Sequence, residues 1–161
     1  MQIYPEKYDK LELSTSERSF IRTMERAFSG DELAYYVLQI NPRKRDAGQG
    51  RAELFNMLVI PEGIMLLRFF DADIPLIAST TIKALGNPLV YSVLENDIRS
   101  KLEKSNYLVS ESGNLRFALN IIFIFPNIDF SQMESELSEA EKEFCCKHVF
   151  FKSDIHVLRK E

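Results

Sequence analysis

Apolar residues recur at helical spacing in two consecutive stretches near the start of the chain. Ser14 and Glu17 have the S-x-x-E spacing of a capping box, and Ser29 and Glu32 repeat it. The apolar positions that follow these boxes are Phe20, Ile21, Met24, Ala27 and Phe28 in the first stretch, and Leu33, Tyr36, Val37 and Ile40 in the second. The pattern predicts two successive amphipathic helices, the second ending before Asn41-Pro42.

Two continuous apolar runs then flank the turn sequence Pro61-Glu62-Gly63. The runs cover residues 53–60 and 64–70 and are rich in Leu, Ile and Phe, which is typical of a β-hairpin inside a sheet. Strand alternation places Arg68 on one face with Leu66 and Phe70, and a tight turn puts it opposite Asn56 or Met57.

The second half of the chain alternates between helical and strand patterns. Asn87-Pro88 begins a predicted helix, residues 115–125 form a predicted buried strand beside parallel neighbours, and Ser131 with Glu134 caps another helix before a short strand at 148–151. The predicted inward positions are Val90, Val93, Leu94, Ile98 and Leu102 in the first helix, and Met133, Leu137, Ala140 and Phe144 in the second. This interleaving predicts an α/β fold, a sheet with helices on both faces, in one domain over residues 1–161.

Composition and charge exclude few classes of function. The chain is 45% hydrophobic and 27% charged, with a formal net charge of −4, so no whole-molecule field favours nucleic acid or membrane. Cys145 and Cys146 are adjacent and predict reduced thiols, and His148 nearby does not complete a structural zinc site. No membrane span or secretory segment is predicted, and we expect a cytoplasmic location.

Four segments together resemble a nuclease-related domain (NERD), a module of the restriction-endonuclease-like group. They are S-G-D-E-L-A-Y-Y-V-L at 29–38, the hairpin A-E-L-F-N-M-L-V-I-P-E-G-I-M-L-L-R-F-F at 52–70, the N-P helix from 87, and I-I-F-I-F-P-N at 121–127. The resemblance implies a restriction-endonuclease-like central mixed sheet flanked by helices. It also implies association with a superfamily-one DNA helicase, in the same chain or in a complex.

The family uses a helix Glu, an Asp on the second strand and an E-x-K pair on the third to hold a divalent metal and activate water. On the resemblance, the helix and strand-end glutamates are Glu32 and Glu53. The Asp position is Phe55, while Arg68 stands at the Glu of E-x-K and Phe70 at its Lys. Because phenylalanine cannot ligate a metal and arginine cannot ligate Mg²⁺, the resemblance implies a degenerate site without metal, cofactor or catalysis.

Arg68 raises a separate question, because an unpaired buried charge is costly. One hypothesis is that its guanidinium replaces the positive charge of the metal and pairs with Glu32, Glu53 or the Asn56 side chain. The alternative is that it extends to an exposed sheet edge.

The segment N-P-R-K-R-D-A-G-Q-G-R carries the cations Arg43, Lys44, Arg45 and Arg51 in a predicted loop. Such a loop can contact DNA phosphates with strong salt dependence and without sequence preference. A solvated loop without a ligand is the alternative.

The sequence therefore favours a non-catalytic, DNA-binding or regulatory nuclease-like module. Two alternatives stay open: an active nuclease with relocated carboxylates such as Asp71 or Asp73, and a protein-interaction domain without a nucleic-acid role.

Overall fold

The protein is built on one six-stranded mixed sheet. The computed structural model describes residues 1–40, 54–61, 63–104 and 119–155, with side chains described to residue 101 in the third helix. The elements in chain order are β1 (Gln2–Tyr4), α1 (Thr15–Ala27), β2 (Tyr35–Ile40), β3 (Phe55–Ile60), β4 (Gly63–Phe69), α2 (Pro75–Leu85), α3 (Pro88–Lys104), β5 (Leu119–Phe125), α4 (Glu139–His148) and β6 (Val149–Phe151). Short 3-10 helices lie at Tyr8–Lys10, Phe130–Gln132 and Glu134–Glu136.

The strands lie in the sheet in the same order as in the sequence. β2, β3 and β4 form an antiparallel meander, while β1 pairs parallel with β2, and β5 and β6 continue from β4 in parallel. Parallel neighbours require long crossover connections, which α2 and α3 supply between β4 and β5, and α4 supplies between β5 and β6. The α/β fold with a mixed sheet flanked by helices is therefore confirmed.

The predicted hairpin is present, with a register one residue away from the expected one. Asn56 pairs with Leu67 and Ile60 with Gly63, so Arg68 lies beyond Asn56 rather than opposite it or Met57. The predicted alternation of faces is correct. Leu66 and Phe70 pack in one core cluster and Leu67 and Phe69 in the other.

Helix α1 covers one side of the sheet, here named the α1 face. Its capping box is present, because Glu17 N–H donates to Ser14 Oγ at 3.1 Å and Ser14 N–H donates to Glu17 Oε2 at 3.2 Å. Phe20, Ile21 and Met24 are buried against the sheet. Their strand partners on this face are Tyr36, Leu38, Leu58, Leu67, Ile122 and Ile124.

Helices α2, α3 and α4 cover the opposite side, here named the α2–α4 face. It contains the larger cluster, with Ile82 of α2, Ile98 of α3 and Cys145 of α4. Strand β5 lies between two parallel neighbours and is buried from Ile121 to Phe125, as its continuous apolar run predicts. The predicted part of this strand before residue 119 lies outside the described residues.

The helix predicted from Ser29 is wrong, because the segment forms strand β2. Gly30 lies just after α1 in a left-handed conformation (φ 80°), and Leu33 N–H donates to Asp31 Oδ1 at 3.0 Å in the turn that leads to the strand. Burial alternates with a period of two at Ala34, Tyr36 and Leu38. Aromatic and β-branched residues in Y-Y-V-L-Q-I favour a strand, and this preference prevails over the chance helical spacing.

Two helical regions also differ from expectation. The helix predicted from Ser131 begins later, because Ser138 and Glu141 form the capping box of α4, and residues 130–136 form 3-10 turns. Helix α2, which precedes the predicted N-P helix, was not expected. In the latter, α3, Leu94 and Ile98 are buried, but Val90 and Val93 are exposed, contrary to prediction, and Leu102 lies outside the described side chains.

Within the part of the chain that the structure describes, no helix is long and apolar enough to cross a membrane.

Candidate functional site

A cluster of polar side chains lies on the α1 face, at the end of the sheet where β2 ends, β3 begins and β4 ends. We name it the polar cluster, and its members are Glu17, Tyr36, Asn56 and Asp71 with the backbone of Gln39. Glu17 precedes Phe20 and Ile21 by one helical turn, which puts it on the sheet-facing side of α1. Asp71 is exposed two residues beyond the end of β4, and its charge acts on Glu17.

Asn56 is the centre of the polar cluster. It is 3% exposed, its Nδ2 donates to Tyr36 Oη at 3.1 Å, and its Oδ1 accepts from the Gln39 N–H at 3.2 Å. The Asn56 side chain also acts on the Glu17 carboxyl of α1, whose pKa it lowers. Gln39 presents its N–H because the β2–β3 pairing shifts register between Val37 and Ile40, and Gln39 itself takes φ 54°.

The cluster changes the ionisation of its members. Burial raises the pKa of the Glu17 carboxyl, and the nearby Asp71 carboxylate adds to the rise, whereas hydrogen bonds from the Ser14 N–H and Asn56 oppose it. Burial also raises the pKa of Tyr36, whose side chain is fully covered. The arrangement can accept and donate hydrogen bonds, but it contains no nucleophile with an adjacent base.

The polar cluster does not fit the divalent metal of the family. It offers two carboxylates, and the Asn56 oxygen is already used by the Gln39 N–H. Among the described residues, no group of three or more His, Cys, Asp or Glu side chains could hold a metal ion. We therefore derive no metal-dependent step.

Three of the remnant positions named from the resemblance, Phe55, Arg68 and Phe70, lie on the opposite side of the sheet. Phe55 is 1% exposed and belongs to the core of the α2–α4 face. Phe70 packs there too, with its ring stacked on Phe125 at a centroid distance of 5.0 Å. Helix α1 precedes the meander and packs on the α1 face, where Asn56 lies. It therefore does not face Phe55 or Phe70.

Arg68 covers the ring of Phe70. Its Cζ lies 4.7 Å from the ring centroid, and its side chain is half-buried. The half-buried Arg68 side chain is not fully extended into solvent, and the hypothesis of pairing with Glu53 involves a residue outside the described ones. A cation over an aromatic face gains electrostatic attraction while its stem covers apolar surface.

Two of the three partners proposed for Arg68 are wrong. Asn56 makes its hydrogen bonds on the other face of the sheet. Glu32 is exposed before β2, at the end of the sheet opposite Arg68, because β2 pairs Tyr35 with Val59 and Ile40 with Phe55. This separates Glu32 from Arg68 by on the order of 20 Å along the strands. Glu53, the third partner, lies outside the described residues.

The remaining candidates are placed as follows. The loop cations Arg43, Lys44, Arg45 and Arg51 lie outside the described residues. Asp73 is exposed before α2. Cys145 and Cys146 are free thiols, as expected, and burial raises the pKa of Cys145 to about 12, so this thiol is not an activated nucleophile.

The polar cluster is not among the sites predicted above, although two residues in the sequence indicate it. Asn56 is the polar residue inside the apolar run F-N-M-L-V-I, where an amide must find internal partners. Glu17 was interpreted only as a cap, yet its spacing from Phe20 and Ile21 also puts it on the apolar side of α1.

Comparison with protein-family models, with curated proteins and with solved structures gives no match for this chain.

Proposed function

We propose that this protein is a non-catalytic nuclease-like module that binds DNA or regulates a DNA-processing partner such as a helicase. The observation that carries the proposal is the packing of three side chains of the β3–β4 hairpin. Phe55 and Phe70 are packed into an aromatic core, and Arg68 lies over Phe70, at the positions where the resemblance requires metal ligands and a lysine.

The order of elements supports the same proposal. A helix, α1, precedes a three-stranded antiparallel meander, helices follow, and the next strand, β5, joins the meander in parallel. The resulting mixed sheet, with one helix on one face and others on the opposite face, agrees with the architecture that the resemblance implies. The helicase association rests on the resemblance alone.

The alternative of an active nuclease with relocated carboxylates has one observation in its favour. Asp71 contributes to the raised pKa of Glu17, so two carboxyls interact electrostatically at the end of the meander. A metal-dependent nuclease needs more oxygen ligands than this pair provides and a cation or metal to stabilise the developing charge. The non-catalytic module is therefore the better proposal.

Cleavage assays test the catalytic half of the proposal. Purified protein incubated with Mg²⁺ or Mn²⁺ should leave supercoiled plasmid and linear DNA uncut above background. Cleavage that disappears in Glu17→Ala, Glu53→Ala or Asp71→Ala would establish an active nuclease and overturn this half.

Salt-dependent DNA binding tests the other half. If Arg43, Lys44, Arg45 and Arg51 contact phosphates, affinity should fall steeply with salt, and the quadruple alanine variant should lose a slope of up to about 3 to 4 in log K against log [salt]. A matched control removes four exposed cations from other places, Lys7, Lys10, Arg22 and Arg26, with the same change in net charge. Equal losses in both variants would reject the loop, and no DNA binding by the wild type would favour the protein-interaction alternative.

A further inference from the structure

We draw no further inference here: the strongest candidate, the stacked pair of partly exposed rings of Tyr4 and Tyr35 on β1 and β2 at the edge of the sheet, is an aromatic surface patch for which nothing in the described residues shows what covers it.

Discussion

At the scale of single residues, the polar side chains of Asn56 and Arg68 are accommodated in the sheet in different ways. Asn56 is almost fully covered, and it donates to Tyr36 Oη and accepts from the Gln39 N–H, so that its Nδ2 and Oδ1 each have a partner inside the sheet. Arg68 keeps part of its side chain in contact with solvent and uses the face of Phe70. No buried side-chain nitrogen or oxygen in the described residues lacks a partner. Both residues therefore have a structural explanation that does not require catalysis.

Replacing Asn56 with Ala should destabilise the fold by about 2–3 kcal/mol, because Tyr36 Oη and the Gln39 N–H lose their partner in a buried place. Chemical denaturation measures the change in the free energy of unfolding. Asn120→Ala is the matched control, since Asn120 is an exposed asparagine on β5, and it should stay within about 0.5 kcal/mol. Equal effects at the two positions would contradict the role of Asn56 described here.

The Arg68–Phe70 contact can be measured by a double-mutant cycle with Arg68→Met and Phe70→Leu. We expect a coupling energy of about 0.5–1 kcal/mol, as for cation–π pairs at partly exposed sites. The cycle cancels interactions that either residue makes elsewhere. A second cycle with Phe69→Leu serves as control, because Phe69 packs on the other face and should be additive with Arg68→Met. Coupling near zero in the first cycle would mean that the ring contact adds no stability.

At the scale of elements, the apolar pattern and the local signals of caps and turn residues predicted the fold only where they agreed. The hairpin, β5 and α1 were predictable because apolar pattern, turn residues and caps all indicated the same structure. Ser29 and Glu32 have the spacing of a capping box but precede a strand, and Ser131 and Glu134 have it too, although the helix begins at Ser138. A capping box is therefore a weak signal alone. The side-chain packing that decides between helix and strand comes from distant parts of the chain.

The same limit explains the site predictions. Matching motifs along the sequence named Phe55, Arg68 and Phe70, and these residues do share one face of the hairpin. Motif matching could not show that the helix beside the meander is α1 and not a helix after Ser29. Nor could motif matching relate Glu17 to Asp71, because their electrostatic interaction depends on the way α1 packs across the sheet.

The position of the α4 cap gives a test at this scale. Ser138→Ala should destabilise the protein by about 1 kcal/mol, because Ser138 Oγ accepts from the Glu141 N–H at 3.2 Å. Ser131→Ala, at an exposed serine in a 3-10 turn with the same sequence spacing, should change stability by less than about 0.5 kcal/mol. Thermal unfolding of both variants measures the difference. The reverse order of effects would restore the helix start first predicted at Ser131.

At the scale of the whole molecule, the packing of α3 and α4 against the sheet meets at His148. Its Nδ1 lies 3.0 Å from the Ile121 carbonyl oxygen of β5 and 3.3 Å from Tyr91 Oη of α3, and its ring lies 5.1 Å from that of Phe144 in α4. One imidazole thus contacts the sheet and two helices. Glu95 on α3 and Lys147 on α4 are the charged groups that act on it, in opposite directions.

Burial lowers the pKa of His148 below its ordinary value, and this shift links global stability to pH. The unfolded chain takes up a proton near the ordinary histidine pKa of about 6.5, whereas the folded protein resists it to lower pH. Stability from His148 is therefore complete above that pH, declines as the pH falls toward the folded-state pKa, and declines no further below it.

His148→Gln removes this titration and keeps an amide that can hydrogen-bond to the Ile121 carbonyl. Free energies of unfolding measured from pH 7.5 to 5 should show the wild type losing stability relative to His148→Gln as the pH falls, and the difference between the two proteins cancels the carboxylates that titrate in both. His156→Gln, at the other histidine of the chain, is the reference for a histidine replacement elsewhere. A wild-type minus His148→Gln difference that is independent of pH would show that folding does not alter the proton affinity of His148. The helices of the α2–α4 face would then be held to the sheet without any dependence on this proton.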